Sequence, residues 1–209
     1  MNRRHSLPAE VYALVEQSPA TVLLECGTSH PAKTRAENST QLFITPDRTC
    51  VAYTPADVGE LFALIENAVS AGQTAAGYFA YECGNCFEPK ASAPSLPVGE
   101  PLAWFGIYER SYRFDHTTGA FEAGEPPQLA ALRNAPQLQA DDSSVDAALA
   151  LDLEQYAERI EAIHEWIRAG DVYQLNFTAP YRLKVHGSTA ALYASAELAV
   201  AMPLTPFFK

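Results

Sequence analysis

The sequence predicts an α+β fold, with mixed or antiparallel sheets and helices packed outside. Three observations carry that prediction. Short apolar or alternating runs at 21–26, 42–45, 50–53, 75–81 and 102–115 are bounded by turn-forming residues, the signature of strands. Apolar residues recur at steps of three and four mainly in two long segments, near 55–71 and 153–169, which marks these as helices. Apolar residues make up 48% of the 209 residues and charged residues 19%, enough apolar material for a core and too little charge for a disordered chain.

Taken in order, Ser6 and Pro8 suit the start of a helix that runs to about Val15, with Ser6 as N-cap. Pro8 and Glu10 interrupt the uninterrupted apolar core that a signal peptide needs, and no apolar run reaches the roughly 18 residues that span a bilayer, so a cytoplasmic protein is expected. Thr21 to Cys26 reads as a buried strand stopping at Gly27, and 28–40 as a polar loop. The runs 42–45 and 50–53 flank Pro46-Asp47-Arg48, which predicts a hairpin. Thr54, Pro55 and Asp57 form a helix start close to a capping box, with Val58, Leu61, Phe62, Ile65 and Val69 on one face and Gly72 closing the helix.

Ala75 to Tyr81 reads as a strand buried on both sides, and the prolines at 89, 94, 97 and 101 predict an extended loop. Strands follow at 102–108 and 111–115, then a turn at 116–119 and a return strand near Phe121. The stretch 122–150, rich in Ala, Pro, Gln and Asp, reads as a linker. Asp152 then caps a helix, with Gln155 placed to return the bond, Leu153, Tyr156, Ile160, Ile163 and Ile167 in one stripe, and Gly170 at the end. Residues 171–178 alternate. On a strand, Tyr173, Leu175 and Phe177 share one face, and Val172, Gln174, Asn176 and Thr178 the other, a row of neutral hydrogen-bonding groups. Tyr181 to Val185 reads as a second strand.

The charge balance, 14 basic against 25 acidic residues for a net of −11, argues against nucleic-acid and anionic-membrane partners, both of which need clustered Lys and Arg. Cys83 and Cys86 form a lone C-x-x-C. It lacks the second ligand pair of a zinc finger, and it follows a strand-like run rather than opening a helix, so reduced, partly buried thiols are expected. Glu25 and Glu82 each end an apolar run, where a buried carboxylate would need a partner. There is no G-x-S-x-G elbow, Walker A loop, G-x-G-x-x-G or H-E-x-x-H, and the five histidines are far apart.

Residues 156–185, and above all Ile167-Arg168-Ala169-Gly170-Asp171-Val172-Tyr173-Gln174-Leu175-Asn176-Phe177-Thr178, resemble the opening of the chorismate-binding region of chorismate-utilising enzymes. Leu23-Leu24-Glu25-Cys26 is similar to the Leu-Leu-Glu-Ser element, and Gly77-Tyr78-Phe79-Ala80-Tyr81-Glu82 to the Gly-Tyr-x-x-Tyr-Glu element, of anthranilate synthase and aminodeoxychorismate synthase large components. The resemblance implies a partial version of that family's two-sheet sandwich, with an N-terminal region over 1–121, a linker over 122–150 and the start of a chorismate-binding region over 151–209.

Gln174 stands where water-adding relatives carry an activating lysine, and amine-adding members carry glutamine there. Asn176 is closer to the aminodeoxychorismate synthase pattern than to that of anthranilate synthases. The resemblance therefore implies chorismate amination at C4 toward para-aminobenzoate and folate, with Gln174 and Asn176 positioning substrate. Anthranilate synthase component I, or a non-catalytic binding module derived from either, is the alternative. It further implies chorismate as the small-molecule substrate, a glutamine amidotransferase partner, and Mg²⁺ on the substrate carboxylate, the last bound by none of the residues named here. Glu25 and Cys26 correspond to an element lining a tryptophan-type pocket, where Cys26 replaces a serine and exchanges a strong donor for a weak one. The family's Pro-Ile-Lys-Gly-Thr nucleophile motif, metal-binding glutamates and Gly-rich loop have no counterpart in the sequence, so a truncated chain, inactive alone and with Phe207 and Phe208 left uncovered, is expected.

Overall fold

The computed structural model describes residues 5–26, 38–88, 90, 98–133, 143–199 and 206–208; for 196–199 and 206–208 only the backbone is described. In order these carry α1 (Ala9–Gln17), β1 (Val22–Leu24), β2 (Ser39–Phe43), β3 (Arg48–Ala52), α2 (Pro55–Ser70), β4 (Thr74–Phe79), a 3-10 helix (Tyr81–Cys86), β5 (Ala103–Tyr108), β6 (Tyr112–Asp115), β7 (Ala120–Phe121), α3 (Pro127–Leu132), β8 (Ser143–Leu149), α4 (Leu153–Ala169), β9 (Tyr181–Gly187), α5 (Thr189–Ala199) and β10 (Pro206–Phe208). All strand pairs described are antiparallel, in sheets of order β10-β1-β2-β6-β7, β3-β5-β4 and β8-β9. This is the α+β class that the sequence predicts.

The period-2 pattern of the strands builds the two larger sheets into a sandwich. On the five-stranded sheet, Leu23 and Leu42 face α1, α3 and α5, in a core with Val11, Leu14, Val15, Phe114 and Leu129. The alternate residues Val22 and Phe43 face the other way and meet Ala76 and Tyr108 of the three-stranded sheet. The far face of that sheet, with Cys50, Ala52, Ala103 and Ile107, is covered by Val58, Leu61 and Ala68 of α2. The layers are thus helix, sheet, sheet, helix. Each fully buried leucine among them contributes about 2 kcal/mol of transfer free energy.

Gly106 is a residue the packing requires. A Cβ there would run into the ring of Tyr108, which lies across it on the inter-sheet side. Tyr108 is fully buried, and its hydroxyl donates to the Ala20 carbonyl at 2.6 Å. Burial pushes that hydroxyl's pKa up to about 12.

Several local expectations change. The runs 42–45 and 50–53 do not form a hairpin. β2 pairs with β1 and β6, β3 pairs with β5, and the chain crosses from one sheet to the other at Ile44–Asp47, where Thr45 takes a left-handed φ of 53°. Turn chemistry reported that the chain bends but not which edges were free. Helix α1 starts at Ala9 with Pro8 in the N-cap position and no side-chain cap, so Ser6 does not cap it. β4 is an edge strand, half-buried rather than enclosed, and ends at Phe79. The ends of 122–150 are structured: α3 packs on α1, and β8 pairs with β9. Most of 28–40 and 88–101, the middle of the expected linker, and the side chains of Phe207 and Phe208 lie outside the described residues.

Helices α2 and α4 start as predicted, each with a reciprocal capping box: Thr54 with Asp57, and Asp152 with Gln155. The Asp57 carboxyl is held below its ordinary range by the Thr54 and Tyr53 backbone N–H groups and the Thr54 hydroxyl. Gly170 ends α4 in the left-handed conformation that glycine tolerates. The apolar stripe of α4 is nevertheless uncovered, and none of its residues is buried. Residues 171–180 form no strand. An alternating segment becomes a strand only beside a free edge, and among the described residues no strand pairs with it.

Candidate functional site

The sequence-named residues fall in two places. The first lies under α1. The apolar run that forms β1 carries the chain inward, so Glu25 and Cys26 just past it are 3% and 8% exposed. A carboxylate this deep needs a donor. Tyr12 of α1 supplies it, its hydroxyl standing 3.2 Å from each carboxylate oxygen. Tyr12 is itself buried, with its ring 6.2 Å from that of Tyr193 on α5. The partner required by a buried Glu25 is therefore real. Glu82, by contrast, is only half-buried, in the 3-10 helix. At the other end of β1, the hydroxyl of Thr21, on a fully buried residue, has no hydrogen-bond partner. Around Glu25 the described residues thus supply a carboxylate acceptor, a phenol and a thiol.

The second place is the segment 171–178. Gln174 and Asn176 are exposed, and Tyr173, at 99% exposure, stands in solvent. Val172 and Phe177 are half-buried, the Phe177 ring meeting Tyr156 of α4 at 5.8 Å. The two faces predicted for a strand are thus not sorted into an apolar and a polar side. Gln174 and Asn176 offer neutral amides that donate and accept but take up no proton near neutral pH. Glu25 and Cys26 belong to the sandwich and Gln174 and Asn176 to the outlying segment, so the structure does not gather the four into one cleft.

Sequence reasoning missed two residues that hold these places together. Tyr12 falls on the buried face of a helix, where a tyrosine hydroxyl calls for an acceptor; that signal was available. Glu16 gives no such signal. It reaches from α1 to the start of α5, accepting from the Ala190 backbone N–H at 3.0 Å and the Ser188 hydroxyl at 3.2 Å. It thereby caps a helix more than 170 residues away in the chain.

Among the described residues no group of three or more His, Cys, Asp and Glu side chains is placed to hold a metal ion. No helix among them is long and apolar enough to cross a membrane. Residues 16–209 match the family model described as chorismate binding enzyme. The chain belongs to the chorismate-binding enzyme family. That match takes in all four residues above. Family members act on chorismate, and the described fold is that of a solved relative: the crystal structure of anthranilate synthase component I from Streptococcus pneumoniae TIGR4 superposes with a TM-score of 0.57 at 16% identity. The superposition covers 82% of this chain and 47% of that one, so this chorismate-binding family chain spans about half the length of its solved relative. No curated protein matches the sequence.

Proposed function

We propose that this chain serves the amination of chorismate at C4, toward para-aminobenzoate and folate, as part of an aminodeoxychorismate synthase large component. One observation carries the reading: the pair Gln174 and Asn176 within Gly170-Asp171-Val172-Tyr173-Gln174-Leu175-Asn176-Phe177-Thr178. A reaction that adds water needs a base there to make hydroxide, and glutamine cannot act as one. Ammonia already carries its lone pair, so the amide's task is to hold the substrate in place. Asn176 adds a second neutral contact two residues on. We assign both to substrate positioning.

A glutamine amidotransferase as ammonia source, Mg²⁺ on the substrate carboxylate and a cytoplasmic setting come with this reading by resemblance. The domain division at 121 and 151 does so as well. No step here runs through the metal. Positioning groups in an exposed segment supply neither a nucleophile nor compensation for charge developing on the ring, so the 209-residue chain alone is proposed not to turn chorismate over. Incubation with chorismate, Mg²⁺ and a high concentration of ammonium tests this. No product is expected. Sustained formation of aminodeoxychorismate or anthranilate would overturn the assignment of roles.

A second reading, anthranilate synthase component I, is favoured by the buried Glu25 beside Cys26, in the element that lines a tryptophan pocket in that family. Calorimetry with tryptophan separates the two. Weak or absent binding is expected, since the Cys26 thiol is a poor donor. Micromolar affinity would favour the anthranilate product.

A further inference from the structure

We propose that Cys83 and Cys86 are a reversible dithiol–disulfide site. The C-x-x-C follows strand β4, as its sequence context suggested, and both cysteines lie in the 3-10 helix Tyr81–Cys86. In such a helix residues three apart eclipse, and three steps of about 2.0 Å separate them by about 6 Å along the axis. That falls within the roughly 4.4–6.8 Å between Cα atoms that a disulfide spans. Neither Cys83 nor Cys86 is engaged in a disulfide.

The two thiols are unequal. Cys83 is 3% exposed, packed in the core beneath α2, whereas Cys86 is half-buried at that core's edge. Burial, then the charge and hydrogen bond of the neighbouring Cys86, hold the Cys83 thiol above its ordinary range. Cys86 is therefore the entry point and Cys83 the resolving thiol. Gly84 between them is exposed, and a side chain there would meet nothing within 4 Å, so the turn has room to adjust.

A low-molecular-weight disulfide such as oxidised glutathione is the oxidant class. The Cys86 thiolate attacks one sulfur of it, forming a mixed disulfide and releasing one thiolate. Cys83 loses its proton and attacks the Cys86 sulfur, forming the internal bond and releasing the second. Two protein thiols are oxidised, and one small disulfide is reduced to two thiols. Closure ties Phe87, whose ring meets Phe62 of α2 at 5.9 Å, to the core-anchored Cys83.

The test equilibrates the 209-residue chain with oxidised glutathione, blocks free thiols by alkylation, and digests with trypsin plus a Glu-specific protease. The peptide Cys83–Lys90 excludes Cys50, the competing thiol of the same core. It is expected to lose two hydrogens and to escape alkylation, reversibly with dithiothreitol. Cys50→Ser is expected to keep that bond, Cys83→Ser to accumulate one glutathione on Cys86, and Cys86→Ser to leave Cys83 reduced. Both cysteines remaining alkylatable under excess oxidant, or a bond from either to Cys50, would overturn the proposal.

Discussion

Helices α2 and α4 are built alike and end in opposite surroundings. Each opens with a reciprocal capping box, and each carries an apolar stripe at steps of three and four. In α2 the stripe is covered along its middle: Val58 and Leu61, with Ala68, are buried against the three-stranded sheet, while Phe62 and Val69 at its margin are 36% and 54% exposed. In α4 no residue is buried, and Leu153, Tyr156, Trp166 and Ile167 are 83%, 43%, 48% and 42% exposed. The antiparallel pair β8–β9, whose strands flank α4 in the sequence, behaves in the same way. Val145, Leu149, Leu183 and Val185 share the face set by the Val145↔Val185 register, and all are exposed. The comparison teaches that periodicity decides which face of an element is apolar. What covers that face is decided by other parts of the chain or assembly.

The comparison breaks most visibly at the leucines. Leu61→Ala is expected to cost about 2–5 kcal/mol, because it empties a packed site. Leu153→Ala should stay within about 0.5 kcal/mol, because nothing lies against it. Urea titration of the two variants reads this directly, and equal losses would mean that the α4 stripe is covered in solution.

The sandwich can be sharpened at its middle. Gly106→Ala should cost about 1–3 kcal/mol, since the methyl group must displace the Tyr108 ring. Tyr108 also gives the sandwich an alkaline limit. Its pKa rises from 10.0 to about 12 on folding, so its contribution is complete below about pH 10 and is lost as pH rises through about 12. Tyr108→Phe leaves the Ala20 carbonyl without this donor, at about 1–3 kcal/mol, and should flatten that alkaline fall in a melting-temperature profile.

These sites also show how much the sequence disclosed. The caps of α2 and α4 were readable because a cap is a local bond, made within four residues. The strands read at 102–108 and 111–115 were legible as short apolar or alternating runs, and the structure places them at Ala103–Tyr108 and Tyr112–Asp115. The crossover at Thr45 was not, because β2 finds its partners in β1 and β6, one of them some 70 residues downstream. Of the candidate site, the needs of Glu25 for a donor and of Tyr12 for an acceptor were each legible, but their pairing was not, since Tyr12 arrives from another element. The strand pattern at 171–178 was real as a pattern and unrealised as structure, because a strand also needs an edge to pair with.

A smaller effect is expected where the outlying segment rejoins the sandwich. Glu16→Ala removes the carboxylate that caps α5 and should cost about 1 kcal/mol. Amide exchange at Ala190 and Ala191 should accelerate first, with that of α2 unchanged.

The measurement that tests the account most directly is amide hydrogen exchange of the whole chain, comparing residues 172–178 with β5. The account predicts slow exchange across β5, the central strand of its sheet, and fast exchange across 172–178, with Gln174 and Asn176 in an open segment. Protection of 172–178 equal to that of β5 would contradict it. The segment would then be a paired strand, and Gln174 and Asn176 would stand on a built face of the chorismate site.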